Sequence, residues 1–280
     1  MWVVNLLLDL AALYVAIIAG MYFAQTWLLF PTAIAGAGRI QLPASTQRLN
    51  VNTTDGECLS GVRIPSLPRR VEGESTLLGF GGNAMNAGAM ALSLHGLFPD
   101  RDIVSFYYRG YGPSSGRPSA TALFSDSVSI FDHLRKAHAS EPIVAIGFSI
   151  GSGIAAYLAR HRPIAGLILV TPFDSLEELA RDLYWWAPVG LLLRNRIPTI
   201  EFVRETSIPT ALIMAKRDSI VPTRRSAPLR SAAKRLVFER TIDAGHNDVY
   251  DHPEYAVAMR EALSRIEAIS VEPAGRQDEG

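Results

Sequence analysis

The longest unbroken apolar stretch lies near the start of the chain. Residues 10–30 hold Gln25 as their only strongly polar member. As a helix, these 21 residues reach about 32 Å at ~1.5 Å per residue, enough to cross a hydrocarbon core. No basic residue precedes Arg39, and the run is longer than the roughly 7–15 residues of a signal-peptide core. A retained transmembrane anchor over residues 1–30 is therefore expected, with Asn5 and Asp9 at the membrane edge. A cleaved signal ending near Ala33 or Ala35 and a soluble core helix are the alternatives.

After a Gly-, Ala- and Pro-rich linker at 31–45, short apolar runs alternate with amphipathic segments. Strands are predicted at 48–52, 59–64, 76–80, 103–107, 143–148, 166–171, 209–215 and 236–241. Helices are predicted at 85–95, 122–138, 151–160, 175–186, 224–233 and 253–268. Several strands, such as Gly166-Leu167-Ile168-Leu169-Val170, are continuous apolar runs, as expected of strands covered on both faces. The first two alternate with polar residues around a turn at Asp55-Gly56, which suits an antiparallel edge pair. The alternation predicts an α/β domain over 46–270, a mostly parallel eight-stranded sheet flanked by helices. Residues 175–205 leave room only for a short cap, and 271–280 read as a disordered tail.

Composition narrows the function. The 280 residues carry zero formal net charge and 48% hydrophobic residues. No basic stripe with interleaved aromatics is present, so a nucleic-acid partner is not expected. Cys58 is the only cysteine; it excludes an internal disulfide and reads as a small packed residue. Neither H-E-x-x-H nor C-x-x-C occurs, and phosphate-loop and dinucleotide patterns are missing, so no metal or cofactor is expected. Arg39, Arg48, Arg63, Arg69 and Arg70 follow the apolar run, which leans the globular part toward the cytoplasm. Asn52-Thr53-Thr54 fits a glycosylation pattern that matters only in a eukaryotic lumen.

The run 143–146 leads into Gly147-Phe148-Ser149-Ile150-Gly151, and a helix is predicted directly after it. Strand, G-x-S-x-G, helix is the setting of a nucleophile elbow. At so sharp a turn, a side chain beside the serine would collide with the neighbouring strand and helix. Glycines at 147 and 151 relieve that crowding and lift the Ser149 hydroxyl into the open. Functional groups in α/β sheets collect at the carboxyl ends of strands. Strand 76–80 ends in Gly81-Gly82, where the backbone can aim an N–H at a developing oxyanion, or simply turn. The N–H of Ile150, next to the nucleophile, is the second donor.

Strand 209–215 leads into Asp218, and the last strand is followed by Gly245-His246. Ser149, Asp218 and His246 then follow the chain order Ser, Asp, His of this architecture. Only His246, among six histidines, follows a strand. His95, His133, His138 and His161 fall on or at the ends of helices, and His252 precedes Pro253. Asp243 and Asp248 are close to His246 in sequence. Asp174 is a second-choice acid or a helix N-cap.

The segments Leu28-Leu29-Phe30-Pro31, Phe80-Gly81-Gly82-Asn83-Ala84, Tyr108-Arg109-Gly110-Tyr111-Gly112-Pro113-Ser114-Ser115-Gly116 and Trp185-Trp186-Ala187-Pro188-Val189 extend the pattern. So do Asp218-Ser219-Ile220-Val221-Pro222 and Gly245-His246-Asn247-Asp248. Together with the elbow they resemble the α/β-hydrolase superfamily, and within it the membrane-anchored Bem46-like group. Gly81 departs from that group, which often has histidine there; Tyr107-Tyr108 departs where an acidic residue often stands. The resemblance implies that Asn83 supplies an oxyanion N–H. Arg109 and Tyr111 read as braces of the loop after strand 103–107 or as substrate contacts. The apolar segment 183–193 reads as core packing, or as an acyl-pocket wall or membrane-contacting flap, with Trp185 and Trp186 as candidate substrate-binding residues.

The expectation is a single-pass, membrane-tethered serine hydrolase acting through Ser149, Asp218 and His246 on a small-molecule or lipid-like ester or thioester. A peptidase, an acyltransferase with the same residues, and a non-catalytic binding protein of the same fold are the alternatives. Oligomeric state is left open.

Overall fold

The computed structural model describes residues 1–35, 40–67, 74–137 and 140–270. The expected tail 271–280, linker residues 36–39, and the predicted features at Arg39, Arg69, Arg70 and His138 lie outside them.

Each predicted strand forms, within two residues of its expected ends. They are β1 (Gln47–Asn52), β2 (Cys58–Ile64), β3 (Thr76–Phe80), β4 (Ile103–Phe106), β5 (Ile143–Phe148), β6 (Gly166–Val170), β7 (Thr210–Ala215) and β8 (Leu236–Ile242). They make one sheet in the order β1-β2-β4-β3-β5-β6-β7-β8. β3 through β7 are buried at every position, which is why they are apolar throughout rather than alternating. β1 is mostly exposed and pairs antiparallel with β2, Val51 opposite Leu59. β2 joins β4 antiparallel; the remaining pairings are parallel.

The helices are α1 (Trp2–Leu29), α2 (Thr32–Ala35), α3 (Ala87–Leu97), α4 (Ala120–Ala137), α5 (Ile150–His161), α6 (Leu176–Leu183), α7 (Val189–Leu192), α8 (Thr199–Glu205), α9 (Thr223–Ser226), α10 (Pro228–Ala232) and α11 (Pro253–Ser270). Alternate residues of β2 through β7 feed two cores, because successive side chains point to opposite faces. Val144, Ile146 and Phe148 of β5 pack with α3 and α11. Ile143 and Ala145 pack with α4, α5 and α8.

Four helix expectations need correction. The helix expected from 85 starts at Ala87, because the Asn86 side chain accepts from the Gly88 and Ala89 N–H groups as its N-cap. The segment 224–233 is two short helices, since Pro228 donates no N–H and starts a new one. The helix expected to reach 186 ends at Leu183, with Tyr184 leaving helical geometry. The rest of the cap holds α7 and α8, which the sequence pattern did not predict.

The N-terminal apolar stretch is a single helix long and apolar enough to cross a membrane. It begins at Trp2, so Asn5 and Asp9 are inside it. Every residue from Met1 to Ile17 is exposed, whereas from Ile18 onward one side of α1 is partly covered by the α/β domain. Phe30, just past its end, is fully buried.

Candidate active site

Ser149 stands between β5 and α5 with φ 50° and ψ −117°. A non-glycine residue held there is strained, and the surrounding backbone enforces it. The crowding expected at the flanking glycines is present. A Cβ on Gly147 would lie 2.5 Å from the Gly151 carbonyl oxygen, and one on Gly151 would lie 2.2 Å from that of Phe80.

Three strand ends bring Ser149, Asp218 and His246 together. His246 Nε2 is 3.1 Å from Ser149 Oγ, and His246 Nδ1 is 2.6 Å from Asp218 Oδ2. The other Asp218 oxygen, Oδ1, accepts the N–H groups of Ile220 at 2.9 Å and Val221 at 2.6 Å. The backbone turn after β7 thus fixes which carboxylate oxygen faces the imidazole. Asp218 and His246 are both buried. The competing acids are engaged elsewhere. Asp174 pairs with Arg225 and accepts the Ser175 N–H, and Ser175, not Asp174, caps α6. Asp243 pairs with Arg217 at the surface. His161 stacks on Tyr157, and His252 accepts the Glu254 N–H at the start of α11.

Asn83 and Ile150 line the same cavity as Ser149 and His246. Ile150 is the first residue of α5, so its N–H has no intrahelical acceptor. The turn holding Asn83 is braced by two residues that sequence reasoning did not assign to it. The Tyr108 hydroxyl donates to the Gly81 carbonyl at 2.7 Å, and the Tyr111 hydroxyl donates to the Asn83 carbonyl. Burial pushes both phenols above their usual range, so they stay neutral donors. Arg109 is buried between Asp126 and Asp55. Its side-chain hydrogen bonds to these carboxylates raise its already high pKa. It is a brace rather than a wall of the cavity.

The cavity measures about 640 Å³, within the roughly 300–1,000 Å³ of small-molecule sites. Its walls are mostly apolar side chains from α6, the 183–193 segment and, unexpectedly, α1. Trp185 and Trp186 are not among its lining residues, a correction to their expected role. Tyr184 and Ala187 on either side of them are. The reason is local: α6 has ended, and the turn points Trp185 outward at 84% exposure. Trp186 instead meets Tyr14 of α1, ring centroids 6.3 Å apart. The contribution of α1 had one sequence signal, Gln25 as a lone amide in an apolar run.

A family model described as alpha/beta hydrolase fold matches residues 79–191. An uncharacterised Mycobacterium tuberculosis protein is 33% identical over 84% of this chain and 86% of its own length. The lysophosphatidylserine lipase ABHD12 of Macaca fascicularis is 27% identical over 59% of this chain and 49% of its own length. Among solved structures, a Pyrococcus furiosus esterase superposes with a TM-score of 0.66 at 18% identity, covering 82% of this chain and 94% of the esterase. That likeness speaks for the fold. The chain belongs to the α/β-hydrolase family.

Proposed function

We propose that this protein is a membrane-anchored serine hydrolase that cleaves the ester or thioester of a lipid-like acyl substrate. The observation that carries the reading is the continuous contact from Ser149 Oγ through His246 to Asp218. His246 Nε2 takes the hydroxyl proton as Ser149 Oγ attacks the acyl carbonyl. Asp218 holds the Nδ1–H tautomer and stabilises the imidazolium. The N–H groups of Asn83 and Ile150 receive the oxyanion. His246 protonates the leaving alcohol or thiol, the acyl group stays on Ser149, and a water activated by the same imidazole releases it as the acid. The apolar cavity and the lipase name of the ABHD12 relatives support a lipid-like substrate. The length and apolarity of α1 support a membrane tether.

Fluorophosphonate labelling of wild type and Ser149→Ala tests the reading. Covalent labelling that vanishes in the alanine variant is expected. A folded wild-type protein that takes no Ser149-dependent label overturns it. Esters and thioesters of graded acyl length then define the preferred leaving group. We place the α/β domain on the cytoplasmic side, from the arginines that follow α1. Protease protection in sealed vesicles tests that side, and digestion only from the opposite face reverses the assignment.

A further inference from the structure

The cavity-lining residues of α1 are Ile18, Met21, Tyr22, Gln25, Leu28 and Leu29. Their spacing of three and four places them on one face of the helix, a stripe about 16 Å long at ~1.5 Å per residue. Across the cavity, α6 contributes Leu176, Leu179, Ala180 and Leu183, again one helical stripe. The space is therefore a channel between two apolar helix faces, with Ser149 and His246 among its lining residues.

The channel has a deep end and a mouth. Leu176 and Leu179 are buried at 7% and 6% exposure, while Leu183 on the same stripe is 55% exposed. At the mouth, α1 leaves the domain: Ile18 is partly covered and all residues before it are exposed. Tyr14 closes one side of this exit, donating to the Trp186 carbonyl at 3.1 Å. Leu191 at 87% and Trp185 at 84% exposure lie in the cap segment on either side of this contact, and Phe23 at 77% and Trp27 at 70% lie on the outer face of α1, away from the cavity-lining stripe. This apolar surface is continuous with the membrane-length helix, and aromatic residues of this kind settle at a bilayer interface.

Gln25 fixes the helix to the cap. Its Nε2 donates to the Leu192 carbonyl at 3.1 Å, and its Oε1 accepts the Arg194 N–H at 2.8 Å. The amide of the stripe is thus consumed by structure, and apart from the Tyr22 phenol and the Met21 thioether α1 shows the channel hydrocarbon. We infer that the membrane helix is itself a wall of the substrate site, and that a long acyl chain enters from the bilayer along the α1 stripe to reach Ser149. Ile18 and Met21 set the acyl length that the channel accepts. The inference deepens the hydrolase reading and rests on it for the chemistry at Ser149.

The test uses the full chain in nanodiscs and two alkyl fluorophosphonates, one butyl and one hexadecyl. Met21→Trp and Ile18→Trp fill the channel, and Phe23→Trp alters the outer face of the same helix. The hexadecyl-to-butyl ratio of Ser149 labelling rates is expected to fall at least tenfold in the first two and to stay within twofold in the third. Met21→Ala, which only removes atoms, is expected to raise that ratio. Equal ratios in all four variants and wild type overturn the inference. Photocrosslinking with diazirine-bearing palmitate supplies a readout independent of chemistry. Crosslinks on Ile18, Met21 and Leu28 are expected; equal yield on Phe23 and Trp27 overturns the inference. Absent labelling by both fluorophosphonates sinks the hydrolase reading alone, and the crosslinks still decide the wall.

Discussion

The Tyr111 hydroxyl donates to the Asn83 carbonyl, tying the loop after β4 to the turn after β3. Tyr111 is fully buried, and its ring meets Tyr108 edge-on, centroids 5.6 Å apart. The pair grips both ends of the 81–83 turn. The Asn83 carbonyl shares its planar peptide with the Ala84 N–H, so the tie reaches the Asn83 N–H proposed for the oxyanion through the φ and ψ of that one residue. Tyr111→Phe keeps the packing and removes the tie. It is expected to lower kcat on a short ester about tenfold with little change in KM. That is less than the ~10²–10³ loss seen when an oxyanion donor is deleted. Because the freed carbonyl loses one hydrogen bond, stability should fall by about 0.5–1.5 kcal/mol. A larger rise in KM than fall in kcat would mean that Tyr111 acts in substrate binding.

Asp218 offers a sharper test of the charge arrangement. Two backbone N–H groups point at Oδ1. In Asp218→Asn the amide oxygen must take that position, which turns its NH₂ toward His246 Nδ1. The imidazole is then held with its proton on Nε2, and it cannot accept the Ser149 proton. Turnover is expected to drop about 10⁴-fold, the size of effect such a tautomer reversal has in Ser-His-Asp enzymes. Thermal stability should change little, and the fluorophosphonate rate should fall in parallel with turnover. A loss under tenfold would show that another group orients His246.

The sheet and the Ser149, Asp218, His246 set were legible because each rests on a local pattern. A parallel strand covered on both faces writes itself as an apolar run, and Ser149 and Asp218 each follow one, while His246 follows the partly exposed β8, which carries Glu239, Arg240 and Thr241. The cap was not legible. Residues 184–198 mix Trp, Leu and Pro without a period, and their path is set by contacts made by Tyr14 and Gln25, more than 160 residues away. Trp185 and Trp186 looked like pocket residues by composition. Their direction depends on where α6 stops, which the helical period alone did not reveal. The α1 stripe was hidden for the opposite reason: in a uniformly apolar helix no face stands out, so only Gln25 marked the inward side.

The elbow's glycines should tolerate no side chain. In Gly151→Ala the new methyl would lie 2.2 Å from the Phe80 oxygen and 2.6 Å from the Gly81 oxygen, both backbone atoms that cannot swing aside. A destabilisation at or above the roughly 1–3 kcal/mol of overpacking is expected, with the displaced 80–81 backbone also lowering Ser149 labelling. Gly96 on α3 is the contrast, since a methyl added there would meet nothing within 4 Å. Gly96→Ala should be neutral or stabilise by up to about 1 kcal/mol through helix propensity. Melting curves of the two variants in the same detergent check both outcomes. Equal Tm values would remove the steric account of Gly151.

Acid should loosen the brace beneath the site in a way that one substitution reveals. Hydrogen bonds from Arg109 and from Thr53 hold the Asp55 carboxyl down to about 2, from a usual value of 3.8. The folded-state pKa is depressed, so the stability this group contributes is fully present above pH ~4. It is lost as pH falls through about 2. Asp126, on the other side of Arg109, is shifted upward by burial despite the same guanidinium, so the two carboxylates differ in sign. Asp55→Asn keeps the shape and removes the titration. The variant should therefore melt below wild type at pH 7, and the gap should narrow between pH 4 and pH 2. Asp55 is largely solvent-facing at 57% side-chain exposure, so added salt should shrink the gap at pH 7 as well. A gap that is constant from pH 7 to pH 2 would show that the Asp55 charge contributes nothing to the Arg109 brace.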